Sequence, residues 1–183
     1  MALSPLVSIG QRQVHLDFHT SEHLENIGGA FSKEGFQAAL KIGNIDSINL
    51  FAKCHHSWSY YPTDIGRMHP NLNFDLLGAQ LEACVEIGIK TQIYYTFGWS
   101  ANDAQEHPEW CARDRDGNFV TSVSLPEDIA PSDPLPSFHW KFLCPNTEYH
   151  DHILTQVAES VSYTHLRAHE TGRNLVCRRL LEK

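Results

Sequence analysis

The sequence predicts an α/β fold, a parallel sheet with helices packed outside it, from three observations. Strand-like and helix-like patterns alternate strictly along the chain. The strand patterns begin near residues 13, 46 and 90. The two longest irregular stretches follow the second and third strands. Such alternation builds parallel sheets because each helix carries the chain back to the edge where the next strand must start. The spacing fits either a barrel or a doubly wound sheet.

Each element carries its own signature. From Gln13 to Thr20, "QVHLDFHT" alternates, which places Val14, Leu16 and Phe18 on an apolar face and His15, Asp17 and His19 on a polar one. After Gly28-Gly29, Ser32 is the expected N-cap of "KEGFQAALKIG", whose Phe36, Ala39 and Leu40 form a stripe that stops at Gly43. "IDSINLFAKCHH" is largely apolar and reads as a strand buried on both faces. Asn73 is expected to open the helix "FDLLGAQLEACVEIG", with Leu77, Leu81, Cys84 and Val85 at helical spacing and Gly88 just past its end. "KTQIYYTFGW" is the third strand, and Asn146 the expected cap of "TEYHDHILTQVAES", with Ile153, Leu154 and Val157 facing inward.

The insertions are "SWSYYPTDIGRMHPNLN" and the stretch from Ser100 to Pro145, which holds the Asp116-Gly117 turn signal of a small hairpin. Both follow the carboxyl ends of strands, where α/β proteins build their sites. The second is rich in aromatics (Trp110, Phe119, Phe138 and Trp140, with Trp99 just before it), as expected of a folded functional loop.

Composition narrows the partners. A chain of 183 residues, 42% hydrophobic, is long enough for one domain with a core, yet shorter than the roughly 250 residues of a (β/α)8 barrel. The net charge of −8 argues against nucleic acid and anionic membranes, which attract clustered Lys and Arg. No run is long and apolar enough for a membrane helix, and "MALSPLVSIGQR" lacks the basic start and apolar stretch of a signal peptide, so a cytoplasmic location is the default expectation. Five cysteines without a CxxC pair indicate free thiols rather than disulfides or a zinc ribbon.

Two clusters could carry chemistry. His15, Asp17 and His19 could converge on a metal ion, form a hydrogen-bonded polar layer, or contact a sugar. Adjacent His55 and His56 would face opposite sides of a regular strand, so they can serve one site only where the strand ends or bulges. The following Ser-Trp-Ser-Tyr-Tyr-Pro supplies flat apolar faces and hydroxyls. With Trp58, Tyr60, Tyr61 and Trp99 near strand ends, the combination suits a carbohydrate pocket: an aromatic plane against the C–H face and His, Asp or Tyr on the hydroxyls.

"AKCHHSWSYYPT" followed by "DLLGAQLEACVEIGIKTQIYYTFGW" resembles the second and third βα units of retaining α-L-fucosidases. "VHLDFHT" is similar to the first strand of that group, although Thr20-Ser21 stands where fucosidases usually carry Trp-Gly. "HPEWCARDRDGNFV" and "FLCPNTEYHDHI" are similar to fucosidase-type glycoside hydrolases that carry a β-galactosidase-trimerisation-like domain. The resemblance implies an incomplete (β/α)8 TIM barrel, its first three βα units with a long loop after strand 3. It implies that His19, His55 and His56 bind sugar hydroxyls, that Trp58 or Tyr61 supplies a stacking wall, and that Trp99 lies in the same substrate-binding set. The substrate would be a carbohydrate, with no cofactor and no metal, and the full-length parent is open to homo-oligomerisation. The carboxylate nucleophile and acid/base of retaining hydrolysis are expected beyond residue 160, so no catalytic residue is assigned within this chain.

Near the end, "THLRAHET" places His165 and His169 at zinc-helix spacing, but a fourth strand is due after the third helix and none arrives. Residues 161–183 instead resemble the in-frame translation of a short-read sequencing adapter. Val161 to Glu170 match one constant part, Gly172 to Asn174 occupy the barcode, and 175–183 match the other constant part except at Arg179. The expected organisation is therefore 1–160 as the amino-terminal part of a catalytic barrel and 161–183 as a non-native tail. Without the tail's five basic and two acidic side chains, the net charge becomes about −11.

Overall fold

A computed structural model describes residues 10–122 and 140–169. Its parallel strands are β1 (Gln13–His15), β2 (Ser47–Lys53) and β5 (Lys90–Tyr95), with β2 in the middle. Gln13, Val14 and His15 pair with Ser47, Ile48 and Asn49, and Ser47 through Phe51 pair with Lys90 through Tyr94. Two short strands continue from the end of β2: β3 (Trp58–Ser59) is antiparallel to it and β4 (Arg67–Met68) is parallel to β3. Helices α1 (Lys33–Ile42), α2 (Leu76–Glu86) and α4 (Tyr149–His169) follow β1, the β2 insertion and the β5 insertion, and the short α3 (Ala101–Glu106) lies just after β5. The parallel-rich sheet with helices agrees with the α/β expectation. Among the described residues, no helix is long and apolar enough to cross a membrane.

The local signals act mostly as expected. Ser32 Oγ accepts the Gly35 N–H at 3.1 Å, and Gly88 leaves α2 at φ +72°, a left-handed position that costs glycine nothing. Two caps differ from the sequence reading. The second helix is opened by Asp75, whose Oδ1 accepts the Gly78 N–H at 2.8 Å, two residues beyond Asn73. The third begins at Tyr149, where the Thr147 hydroxyl rather than Asn146 reaches the first N–H. The first strand is also shorter than "QVHLDFHT", because the chain past His15 leaves the β2 ladder. Its apolar residues then separate: Val14 packs on the main core, Phe18 on a second cluster, and Leu16 is exposed.

The main core lies between sheet and helices. Ile48, Leu50 and Ala52 of β2 meet Leu40 of α1 and Leu77, Leu81 and Cys84 of α2. Each large aliphatic side chain so buried stabilises the fold by about 1.5–3 kcal/mol. Burial also pushes the Cys84 thiol up to about 12, so it is an inert packing group. A second cluster, Ile27, Phe51, Cys54, Tyr60, Leu72 and Leu76, lies beneath the first insertion. A third, with Trp110, Cys111, Leu143, Tyr149 and Ile153, ties the second insertion to α4. The Asp116-Gly117 hairpin forms, with Gly117 at φ +89° and Arg113 bridged to Phe119. Phe138 and residues 170–183 lie outside the described residues.

A register shift between Phe51 and Lys53 changes what the end of β2 does. The extra residue turns Lys53 to the side of Tyr95, away from the face that carries Phe51. There Lys53 Nζ, fully buried, donates to Asp103 Oδ2 of α3 and to Gln156 Oε1 of α4, both at 2.8 Å. Burial pulls the ammonium below its ordinary value and Asp103 opposes that. Burial likewise pushes the Asp103 carboxyl up, but the Lys53 charge and hydrogen bond, with the Ser100 hydroxyl, hold it below its usual range. Removing one member of such a pair strands a buried charge. Lys53→Met is therefore expected to cost about 3–5 kcal/mol in chemical denaturation, with much of it recovered when Asp103 is also made apolar.

Candidate functional site

The carboxyl ends of β1, β2 and β5 deliver His19, the His55-His56 pair and Trp99 to one place. Immediately after the bulge, Cys54 to Ser57 form a turn closed by the Ser57 N–H on the Cys54 carbonyl at 3.0 Å. Neighbouring residues in a turn need not alternate sides as they do in a strand, so His55 and His56 face together, with ring centroids 5.2 Å apart. Ser57 holds φ +82°, a conformation unfavourable for a residue with a side chain. Its hydroxyl compensates: it bonds Ser100 Oγ at 2.7 Å and accepts the Asn102 and Asp103 N–H groups, capping α3. The His55 carbonyl accepts the Ala101 N–H at 2.8 Å, so turn and helix hold one another.

His19 lies flat on His55, with centroids 3.3 Å apart and planes 10° apart, and its ring is nearly perpendicular to that of Phe51. The Tyr60 hydroxyl places it. That hydroxyl donates its one proton to the Phe18 carbonyl at 2.8 Å and accepts from Thr20 Oγ1 at 2.6 Å and from the Thr20 N–H. Thr20, which departs from the fucosidase pattern, is thus the buried partner of this clamp. His69 and Asn71 hold the next residues: His69 Nε2 bonds the Ser21 carbonyl, and the Asn71 amide donates to the carbonyls of Glu22 and Leu24. The first insertion acts as a bracket around the loop after β1.

Trp140 completes the group from the far end of the second insertion, its ring steeply inclined to those of His55 at 3.8 Å and His56 at 4.9 Å, with Trp99 6.1 Å away. Trp140 was legible only as one of several loop aromatics, because the two histidines it meets lie more than eighty residues away in sequence. The structure therefore brings together His19, His55, His56 and Trp99 of the expected set. Trp58 sits at the margin, half-buried in the second cluster, its indole N–H on Glu22 Oε2 at 3.3 Å. Tyr61 is elsewhere: it is fully buried in the sheet–helix core, where its hydroxyl donates to Glu159 of α4. A stacking wall from Tyr61 does not fit that position, because the residue after Tyr60 points to the opposite side.

His15, Asp17 and His19 do not assemble as metal ligands. His15 Nδ1 is bonded to the Asn49 amide at 3.0 Å, and His19 Nδ1 accepts the His55 N–H at 3.2 Å. Among the described residues, no group of three His, Cys, Asp or Glu is arranged to hold a metal. The site instead offers neutral imidazoles against aromatic rings. Burial foremost, then His19 and His56, push His55 down to about 3, and burial is also the largest cause that lowers His19, His56 and His69. Neutral rings can stack at van der Waals distance, whereas two imidazolium ions would repel.

Three comparisons bear on this geometry. The family described as Hypothetical glycosyl hydrolase 6 matches residues 32–166. The solved structure of alpha-L-fucosidase isoenzyme 2 from Paenibacillus thiaminolyticus is 45% identical, with a TM-score of 0.72, over 82% of this chain and 21% of that one. An alpha-amylase from Lactobacillus plantarum is 17% identical with a TM-score of 0.43, over 81% of this chain and 36% of that one. No curated protein matches. The chain thus spans about a fifth of the length of the fucosidase it matches.

The neutral histidines set a pH dependence. Their pKa values are lower folded than unfolded, so as pH falls the unfolded chain takes up protons first. The stability they permit is complete above the unfolded value of 6.5 and is lost as pH falls from there toward about 3 for His55. Thermal melts between about pH 7 and pH 5, above the range where carboxylates titrate, are expected to fall by several degrees, and His55→Gln to flatten that slope.

Proposed function

Because this chain belongs to the family of hypothetical glycosyl hydrolases matched over residues 32–166, we propose that it contributes the sugar-binding half of a retaining, α-L-fucosidase-like site. The observation that carries this reading is the group of His19, His55, His56 and Trp140 at the carboxyl ends of parallel strands. Neutral imidazoles can donate or accept to sugar hydroxyls, and the indole faces of Trp99 and Trp140 can cover a C–H face. In this reading the three parallel strands are the first three of a (β/α)8 barrel and residues 1–160 are its amino-terminal part.

Retaining hydrolysis needs two carboxyl groups about 5–5.5 Å apart, one as nucleophile and one as acid/base. In this reading both lie on later strands of the parent, and this chain binds and orients the glycone without cleaving it. The 183-residue chain is expected to bind L-fucose, read by tryptophan fluorescence, with Trp140→Ala weakening binding by about tenfold. It is expected to release no nitrophenol from a nitrophenyl α-L-fucoside. An identical response to an acyclic polyol would reject the sugar site, and sustained turnover would reject the division of labour.

We further propose that residues 161–183 derive from adapter sequence. Sequencing the source locus past codon 160 is expected to give different codons leading into a fourth strand that ends in Asp. Recovery of the same codons from genomic DNA would refute this. The family match ends at residue 166, and Tyr163 already packs on Tyr61 and bonds Asp75, so this experiment also decides whether that contact is native.

A further inference from the structure

The geometry points to Asp17, not His19, as the group from the loop after the first strand that hydrogen-bonds a pyranose hydroxyl, with His19 as the residue that positions it. This rests on the carbohydrate reading above and changes which atom meets the ligand. His19 Nδ1 accepts the His55 backbone N–H at 3.2 Å, so it carries no proton and the ring's proton resides on Nε2. Nε2 is 3.0 Å from Asp17 Oδ1 and donates to it. Both ring nitrogens of His19 are therefore engaged by the protein. Its faces and edges are also covered, by His55 at 3.3 Å, Phe51 at 4.9 Å and Tyr94 at 5.7 Å, which leaves the side chain 18% exposed.

Asp17 is the opposite case. Its side chain is 71% exposed, and among the described residues its only polar partner is His19. A carboxylate steadied through one oxygen by an imidazole N–H is a pre-oriented acceptor, and sugar hydroxyls are donors that an ionised acceptor binds more strongly than a neutral one. His19 itself cannot leave the arrangement without breaking its stack on His55 and its bond to the His55 backbone, which would disturb the His55-His56 turn.

The test uses the full 183-residue chain, labelled with nitrogen-15. Long-range proton–nitrogen spectra are expected to show His19 as the Nε2–H tautomer, and L-fucose is expected to move that Nε2 resonance. Asp17→Asn, whose melt should match the unaltered chain because the residue is exposed, is expected to weaken L-fucose by about tenfold or more, the worth of one hydrogen bond to a charged group. In that variant L-fucose should leave the His19 Nε2 resonance unmoved. The unaltered chain with one of the singly deoxygenated L-fucose analogues should lose as much, and the variant should lose nothing further with that analogue. An Nδ1–H tautomer at His19, or undiminished L-fucose affinity in Asp17→Asn, overturns the assignment while the sugar site stands. Absence of L-fucose binding by the unaltered chain overturns both.

Discussion

The arrangement at the strand ends depends on one buried ion pair, Lys53 with Asp103. Lys53 occupies the last position of β2, and Asp103 lies in the first helix after β5. Their contact joins two elements fifty residues apart and brings α4 in through Gln156, which also accepts from the Tyr95 hydroxyl at 2.9 Å. An apolar pair of the same volume could pack as tightly. It would not supply directional bonds that commit β2 to a bulge, and without the bulge the chain would reach His55 in a different register. The polar network around it extends through Ser100 to Ser57, where the left-handed backbone that shapes the histidine turn is held in place.

The second constraint is the absence of positive charge among closely packed histidines. His19, His55 and His56 are crowded together with Trp140 against them, a density that only uncharged imidazoles allow. The same burial that lowers their pKa values thus makes the packing possible. For the proposed sugar site this is useful, because a neutral imidazole offers one donor and one acceptor, whereas an imidazolium offers donors alone. The bracket formed by Tyr60, His69 and Asn71 serves this arrangement from behind by fixing the backbone of residues 18 to 24.

The elements whose signals were local were legible in advance. α1 and its Ser32 cap, the apolar β2, the stop at Gly88 and the Asp116-Gly117 hairpin all follow from periodicity and turn chemistry within a few residues. The misplacements were also local in kind: Asn73 and Asp75 are both good caps, and only the docking of α2 on the sheet selects between them. The alternation after Gln13 continues to Phe18, but β1 itself ends at His15, where the chain leaves the ladder although β2 runs on to Lys53.

By itself the sequence determined the alternation of strands and helices, the concentration of His and aromatic residues after strands, and the adjacency of His55 and His56. Only the tertiary structure decided that both histidines share a side, that Tyr61 belongs to the core, that Trp140 closes over the pair, and that Asp17 rather than His19 is left exposed. The reason is physical. Periodicity encodes which side a residue faces only while the backbone repeats, and a single bulge between Phe51 and Lys53 ends the repeat. From that point orientation is set by contacts between residues tens of positions apart.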